Sequence, residues 1–68
     1  MMDRKMVNFI KEQYPPGTRI RLNSMDDPYH PILPGTEGEV DFVDDAGSLH
    51  MKWDNGRSLA LVPGEDSF

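Results

Sequence analysis

The sequence predicts a small, mainly β domain: an N-terminal helix followed by a five-stranded barrel whose last strand is short. Three observations predict this class. Apolar and polar residues alternate along three runs between Gly38 and Leu61, as in antiparallel strands with one covered face. Short glycine-containing turns separate the runs. The chain has 68 residues and no cysteine, so one small apolar core has to hold a single domain without disulfides.

The helix is predicted from Asp3 to Tyr14. Asp3 is a residue type that caps helices, and Pro15 and Pro16 end the helix because proline cannot continue it. Its apolar residues form one stripe: Val7, Ile10 and Tyr14, widened by Met6 and Phe9. We interpret this stripe as a plug for one open end of the barrel; the alternative is a helix that faces a partner. We assign 1–16 to the helix and its proline stop and 17–68 to the barrel, as one domain overall.

The first strand is predicted from Thr18 to Leu22. Ile20 and Leu22 alternate with two arginines, so the apolar side chains point inward and Arg19 and Arg21 point outward. Pairs between these arginines and carboxylates on the same outer face contribute little to stability, about 0–1 kcal/mol each.

A long loop follows, from Asn23 to Pro34, which we call the 23–34 loop. Loops of about a dozen residues without secondary structure are uncommon and often functional. Three interpretations stay open. The loop is a proline-stiffened flap with Ile32, Leu33 and Tyr29 folded back on the barrel, or a recognition loop that meets a basic or proline-rich segment. The third is a metal site made by Asp26, Asp27 and His30. This interpretation is disfavoured, because an oxygen-rich metal site needs more ligands than one short loop supplies.

The alternation also predicts the register of the next three strands. A four-residue loop, Asp44 to Gly47, pairs Phe42 with Leu49 and Val40 with Met51. A three-residue loop, Asp54 to Gly56, pairs Met51 with Leu59 and Leu49 with Leu61. Six side chains then share one interior: Val40, Phe42, Leu49, Met51, Leu59 and Leu61.

The end of the chain is predicted to contain a single 3₁₀ turn at Val62, Pro63 and Gly64. The four residues after it are too few for a full strand. An incomplete last strand leaves an unpaired sheet edge, which a partner or a second copy can use.

Composition narrows the function. The net charge of −5, from twelve acids and seven bases, argues against a general nucleic-acid binder. No apolar run has membrane-spanning length, the N-terminus lacks a signal-peptide pattern, and the absence of cysteine fits a cytoplasmic location. No catalytic constellation, metal set or phosphate loop is present, since the two histidines and four serines lack a nucleophile context. We expect neither enzymatic activity nor a cofactor.

The order of elements resembles that of small SH3-like barrels. Five segments are also similar to a family of small bacterial and phage-borne domains catalogued as domain of unknown function 4314: PGTRI at 16–20, MDDPY at 25–29, PGTEG at 34–38, WDNG at 53–56 and LALVPG at 59–64. The resemblance runs from Tyr14 to Phe68. It implies the barrel fold but no activity and no functional residues. Relatives continue beyond the position of Phe68, so the fifth strand is expected to be short.

The leading hypothesis is a non-enzymatic module that binds a protein or peptide through the 23–34 loop and the adjacent barrel surface. Its candidate residues are Asp26, Asp27, Tyr29, His30 and Trp53. Trp53 is placed inward by the register, so a core or rim role is its alternative. A second hypothesis is a nucleic-acid accessory domain with a basic outer face of Arg19, Arg21, Lys52 and Arg57, which the overall acidity opposes. A third is a homo-oligomer that associates through the helix or the open edge.

Overall fold

One helix lies against a three-stranded antiparallel sheet in the computed structural model, which describes residues 3–68. The elements are α1 (Arg4–Gln13), β1 (Arg19–Arg21), β2 (Glu37–Val43) and β3 (Leu49–Trp53), and the sheet order is β1-β2-β3. Among residues 3–68, eleven apolar side chains are buried and form the core: Val7, Ile10, Ile20, Leu22, Ile32, Val40, Val43, Leu49, Met51, Trp53 and Leu61.

Helix α1 begins and ends where the sequence predicts, to within one residue. The Asp3 carboxylate accepts a hydrogen bond from the Met6 N–H at 2.8 Å, so it caps a first turn that otherwise has unpaired N–H groups. Only Val7 and Ile10 of the stripe are buried. Met6 and Phe9 stay about half exposed, so only a narrow apolar stripe of the helix contacts the rest of the molecule.

The predicted orientation of β1 is confirmed. Ile20 is buried between two exposed arginines, Arg19 and Arg21. Each of the three residues pairs with a residue of β2, from Arg19 with Glu39 to Arg21 with Glu37.

The register between β2 and β3 is correct at one end and wrong at the other. Val40 pairs with Met51 as predicted, but Phe42 pairs with His50 instead of Leu49. The register shifts between Val40 and Phe42, which makes Asp41 the extra residue of a β-bulge. A one-residue shift exchanges the two faces of a strand. Phe42 therefore turns outward, with 47% of its surface exposed, and no longer lines the interior.

Both hairpins close with the same three-residue turn, so the predicted four-residue loop of the first hairpin is wrong. The Asp44 N–H donates to the Ser48 carbonyl at 3.0 Å, which leaves only three residues between these two. The closing glycines, Gly47 and Gly56, each have a φ of 87°. Residues with a side chain adopt this conformation at a cost, whereas glycine adopts it freely, so both turns require glycine at this position.

The predicted five-stranded SH3-like barrel is wrong, because the sheet is open and the fourth strand does not form. The chain after the second hairpin meets β3 at its two ends only. Leu61 exchanges two backbone hydrogen bonds of 2.8 Å with Leu49, and the Arg57 carbonyl accepts from the Trp53 N–H at 2.9 Å. Between these points the Leu59 carbonyl accepts from the Trp53 indole Nε1 at 2.8 Å. The predicted pair of Met51 and Leu59 is therefore absent, and the ladder is interrupted.

The last segment forms a turn and two isolated bridges instead of a strand. The Val62 carbonyl accepts from the Glu65 and Asp66 N–H groups at 3.0 and 2.9 Å, so residues 62–66 make a tight turn. The predicted 3₁₀ turn does not form, because Gly64 has a φ of 92°, outside the negative range of a 3₁₀ helix. Ser67 pairs with Ser24 in an isolated bridge beside the end of β1. This bridge places the 62–66 turn next to the start of the 23–34 loop.

A substitution at Gly38 in β2 tests the packing of the Trp53 ring against the sheet. A Cβ added at Gly38 would lie 2.8 Å from the Lys52 carbonyl oxygen and 2.9 Å from Cε3 of Trp53. We expect Gly38→Ala to lower the free energy of unfolding by about 2 kcal/mol, because the strand and the indole have to move apart. Urea unfolding measures this, with Glu39→Ala on the neighbouring residue as the control. Equal stability of the two variants would contradict the packing of Trp53 on Gly38.

Candidate functional site

The 23–34 loop has little regular secondary structure, yet it is attached to the rest of the molecule beyond the Ser24–Ser67 bridge at its start. Ile32 is 1% exposed and belongs to the core. The Arg57 guanidinium, at the end of the second hairpin, donates to the His30 carbonyl at 2.6 Å and to the Pro31 carbonyl at 3.1 Å. The Asp66 carboxylate accepts from the Asp26 N–H at 2.7 Å. These contacts from distant parts of the chain hold the loop in one conformation.

Asp27 stabilises the tip of the loop from within. Its Oδ1 accepts hydrogen bonds from the N–H groups of Tyr29 at 2.8 Å and His30 at 3.2 Å, which is the geometry of an Asx turn. These two bonds, that from Tyr29 first, favour the ionised carboxylate and lower the pKa of Asp27 below its ordinary value of 3.8. The side chain is therefore charged at neutral pH and restricts the backbone on which Tyr29 stands.

Two large side chains of this loop face solvent. Tyr29 is 83% exposed and Leu33 is 71% exposed, the two highest values among the exposed large apolar side chains. The flap interpretation predicts that both fold back with Ile32. Ile32 does so, but Tyr29 and Leu33 do not. Apolar side chains displayed on a loop whose backbone is fixed are typical of recognition surfaces.

Trp53 does not belong to this surface. Its side chain is 3% exposed, and its indole N–H donates a hydrogen bond to the Leu59 carbonyl. The inward, core role is the one that the structure shows. Of the five predicted binding residues, the loop therefore brings together Asp26, Asp27, Tyr29 and His30, and leaves Trp53 in the interior.

Two of the four residues of the predicted basic face, Arg19 and Lys52, are paired with carboxylates. Both guanidinium NH₂ groups of Arg19 contact the Asp54 carboxylate, at 3.1 and 2.6 Å, and this pair lowers the pKa of Asp54 below 3.8. Lys52 lies 3.7 Å from Asp41. Neither Arg21 nor Arg57 has a carboxylate oxygen within 4.0 Å among residues 3–68, but the Arg57 guanidinium donates hydrogen bonds to the 23–34 loop. The pairing of Arg19 and Lys52 reduces the positive charge that this face offers to a phosphate backbone.

Three features of the surface were not anticipated by sequence reasoning. The anchoring role of Arg57 and the contact of Asp66 with the 23–34 loop both depend on residues distant in sequence, for which a single chain gives no signal. The third is the outward Phe42, whose ring stacks on His50 with centroids 4.2 Å apart. His50 is held in turn by Asp44, at 2.8 Å. Phe42 also borders a groove of about 260 Å³ next to the end of α1.

Within 3–68, no three His, Cys, Asp or Glu side chains are grouped so that they would hold a metal ion. The loop residues Asp26, Asp27 and His30 thus do not form such a group. In the same range, α1 is too short and too polar to cross a membrane.

Comparison with known proteins gives one match. The model of a family described as "Domain of unknown function (DUF4314)" matches residues 3–68, which includes α1 as well as the sheet and the 23–34 loop. No curated protein and no solved structure matches the chain.

The hydrogen bonds of Asp27 predict a local acid transition in the loop. Because the folded pKa of Asp27 is depressed, its contribution to loop order is complete above pH 3.8 and is lost as the pH falls through the lower folded value. An NMR titration should show the Asp27 carboxyl carbon and the Tyr29 and His30 amides changing together with a midpoint below 3.8. Asp27→Asn keeps an acceptor oxygen and should remove that step. A midpoint at or above 3.8 would contradict the Asx turn.

The Arg57 contact predicts that the loop loses order without it. In Arg57→Ala, the amide order parameters of Tyr29, His30, Ile32 and Leu33 should fall from about 0.85 to below about 0.6, since two carbonyls lose their donor. ¹⁵N relaxation measures this directly. Arg21→Ala removes an exposed arginine elsewhere and should leave the loop unchanged. A loop equally ordered in both variants would show that Arg57 does not anchor it.

Proposed function

The chain belongs to the DUF4314 family, whose description assigns no activity, and we propose that it is a non-enzymatic module that binds a protein or peptide through the 23–34 loop. The observation that carries this proposal is the display of Tyr29 and Leu33, 83% and 71% exposed, on a backbone fixed by Arg57. A loop that is already ordered loses less conformational entropy on binding than a mobile one, so more of the contact energy appears as affinity.

Tyr29 is well suited to the centre of such a surface. A tyrosine ring contributes a large contact area at the cost of few rotatable bonds, and its hydroxyl adds a hydrogen-bonding group. Its backbone is restrained by Asp27, so the ring projects from a defined position. Leu33 adds a second apolar contact after the segment that Arg57 holds. The proposed binding residues are Asp26, Asp27, Tyr29, His30 and Leu33.

The nucleic-acid alternative has less support. It requires free cations on the outer face, where Arg19 and Lys52 are paired with carboxylates. The absence of enzymatic activity, the cytoplasmic location and the bacterial or phage origin stay predictions from the sequence. None of them is needed for the loop to act as a binding surface.

Affinity capture tests the proposal. Immobilised wild-type protein, a Tyr29→Ala/Leu33→Ser variant and Phe42→Ala are each exposed to a lysate of the source organism, and retained proteins are identified by mass spectrometry. Phe42 is the matched control, because it is an exposed aromatic residue on β2. All three substitutions lie at exposed positions, so folding should change by less than about 0.5 kcal/mol, which thermal melting checks.

We expect wild type and Phe42→Ala to retain the same proteins and the loop variant to lose them. If all three retain the same set, or if wild type retains nothing specific, the loop is not the binding surface. Loss from Phe42→Ala alone would move the surface to the groove beside α1.

A further inference from the structure

The acidic side chains near Tyr29 and Leu33 differ from the aspartates of the sheet and its hairpin turns. Four other aspartates each lie within 4.0 Å of a basic side chain: Asp41, Asp44, Asp45 and Asp54. By contrast, Asp26, Asp27, Glu65 and Asp66 have no Lys, Arg or His side-chain nitrogen within that distance among residues 3–68. Asp3, Glu12 and Glu39 also lack a basic partner, but they lie at α1 and on β2. Among residues 3–68, four of the seven acidic side chains without a basic partner thus lie on the 23–34 loop, which displays Tyr29 and Leu33, and on the 62–66 turn beside it.

These four carboxylates belong to one surface although they are far apart in sequence. The Asp66 carboxylate is 2.7 Å from the Asp26 N–H, which brings the 62–66 turn against the start of the 23–34 loop. Asp27 contacts the Tyr29 N–H at 2.8 Å. Arg57 is the nearby cation, and its guanidinium N–H groups are used by the carbonyls of His30 and Pro31. The surface has an excess of negative charge around its apolar side chains.

The size of the apolar pair limits what can cover it. Leu33 follows Tyr29 by four positions along the chain, so their Cα atoms are at most about 14 Å apart. An extended peptide of about five residues covers that distance. A neutral segment laid across it would remove water from the carboxylates without pairing them, which is unfavourable.

We propose that the partner is a cationic protein segment: an extended stretch with an aliphatic side chain flanked by arginine or lysine. This inference rests on the proposed function and specifies its partner. The aliphatic side chain packs against Tyr29 and Leu33, and the flanking cations pair with Asp26, Asp27 and Glu65. Arginine suits these carboxylates best, because its planar guanidinium forms two parallel hydrogen bonds to one carboxylate.

Synthetic peptides of defined charge test the inference on the intact chain. The probes are acetylated, amidated pentapeptides with a central leucine and arginine, glutamate or proline at the other four positions, and binding is followed by amide shifts of ¹⁵N-labelled protein. The arginine peptide should shift residues 26–33 and 65–66, and its Kd should rise at least tenfold from about 50 mM to about 500 mM NaCl. The glutamate and proline peptides should bind at least tenfold more weakly.

Charge-only variants localise the effect. Asp26→Asn/Asp27→Asn/Glu65→Gln removes three charges and keeps the acceptor oxygen that Asp27 uses in the turn, so the arginine peptide should bind about tenfold more weakly. Glu12→Gln/Glu39→Gln/Asp41→Asn changes the net charge equally on other surfaces and should bind as wild type. Equal losses in the two variants would mean that the peptide responds to overall charge alone and would overturn the inference.

The remaining outcomes separate the two proposals. If the proline peptide binds at residues 26–33 and the arginine peptide does not, the cationic partner is wrong while the binding loop stands. If no peptide shifts these residues, the cationic partner is overturned, and the capture experiment decides the loop separately. Amide shifts that depend on protein concentration without peptide would identify a second copy as the occupant, for example through Arg4 and Lys5, and would also overturn the inference.

Discussion

The contact between Arg57 and the 23–34 loop is the interaction on which the proposed function depends. It starts from a local feature, because Gly56 closes the second hairpin in a left-handed conformation and fixes where Arg57 emerges. The guanidinium then donates to two loop carbonyls that have no strand partner. Charge-assisted hydrogen bonds of this kind are stronger than neutral ones. A loop that lacks a hydrogen-bond ladder of its own thereby acquires an ordered backbone.

Trp53 determines where the sheet ends. Its ring packs on Gly38 of β2, where even an added Cβ would clash, and its indole N–H donates a hydrogen bond to the Leu59 carbonyl. This second contact diverts the chain from β3 after Arg57, so a full fourth strand is not made. The diverted segment returns at Leu61 and continues into the 62–66 turn, which carries Asp66 to the loop. The open sheet and the attachment of the loop therefore have a common origin.

Sequence reasoning succeeded where one local rule decides the structure. The Asp3 cap, the proline stop and the alternation around Ile20 each have one physical solution, and the structure has it. It failed at Phe42 because Phe42 and Val43 are adjacent apolar residues. Either can face the core, and the bulge that selects Val43 leaves no mark in the pattern. The prediction of a barrel was wrong for a related reason. The order of elements does not reveal that a side chain such as the Trp53 indole will hydrogen-bond a backbone carbonyl of the next segment.

The residues of the candidate site could be predicted from the sequence, but the contacts that hold them in place could not. The acids and Tyr29 were identified from a long loop of unusual composition, but their fixed arrangement depends on long-range contacts. The central claim is that the free protein already holds this loop in the displayed conformation. Residual dipolar couplings of the Tyr29, His30 and Ile32 amides test it most directly. The account predicts that they fit the alignment tensor of β1, β2 and β3 without loss of amplitude; couplings averaged toward zero would contradict it.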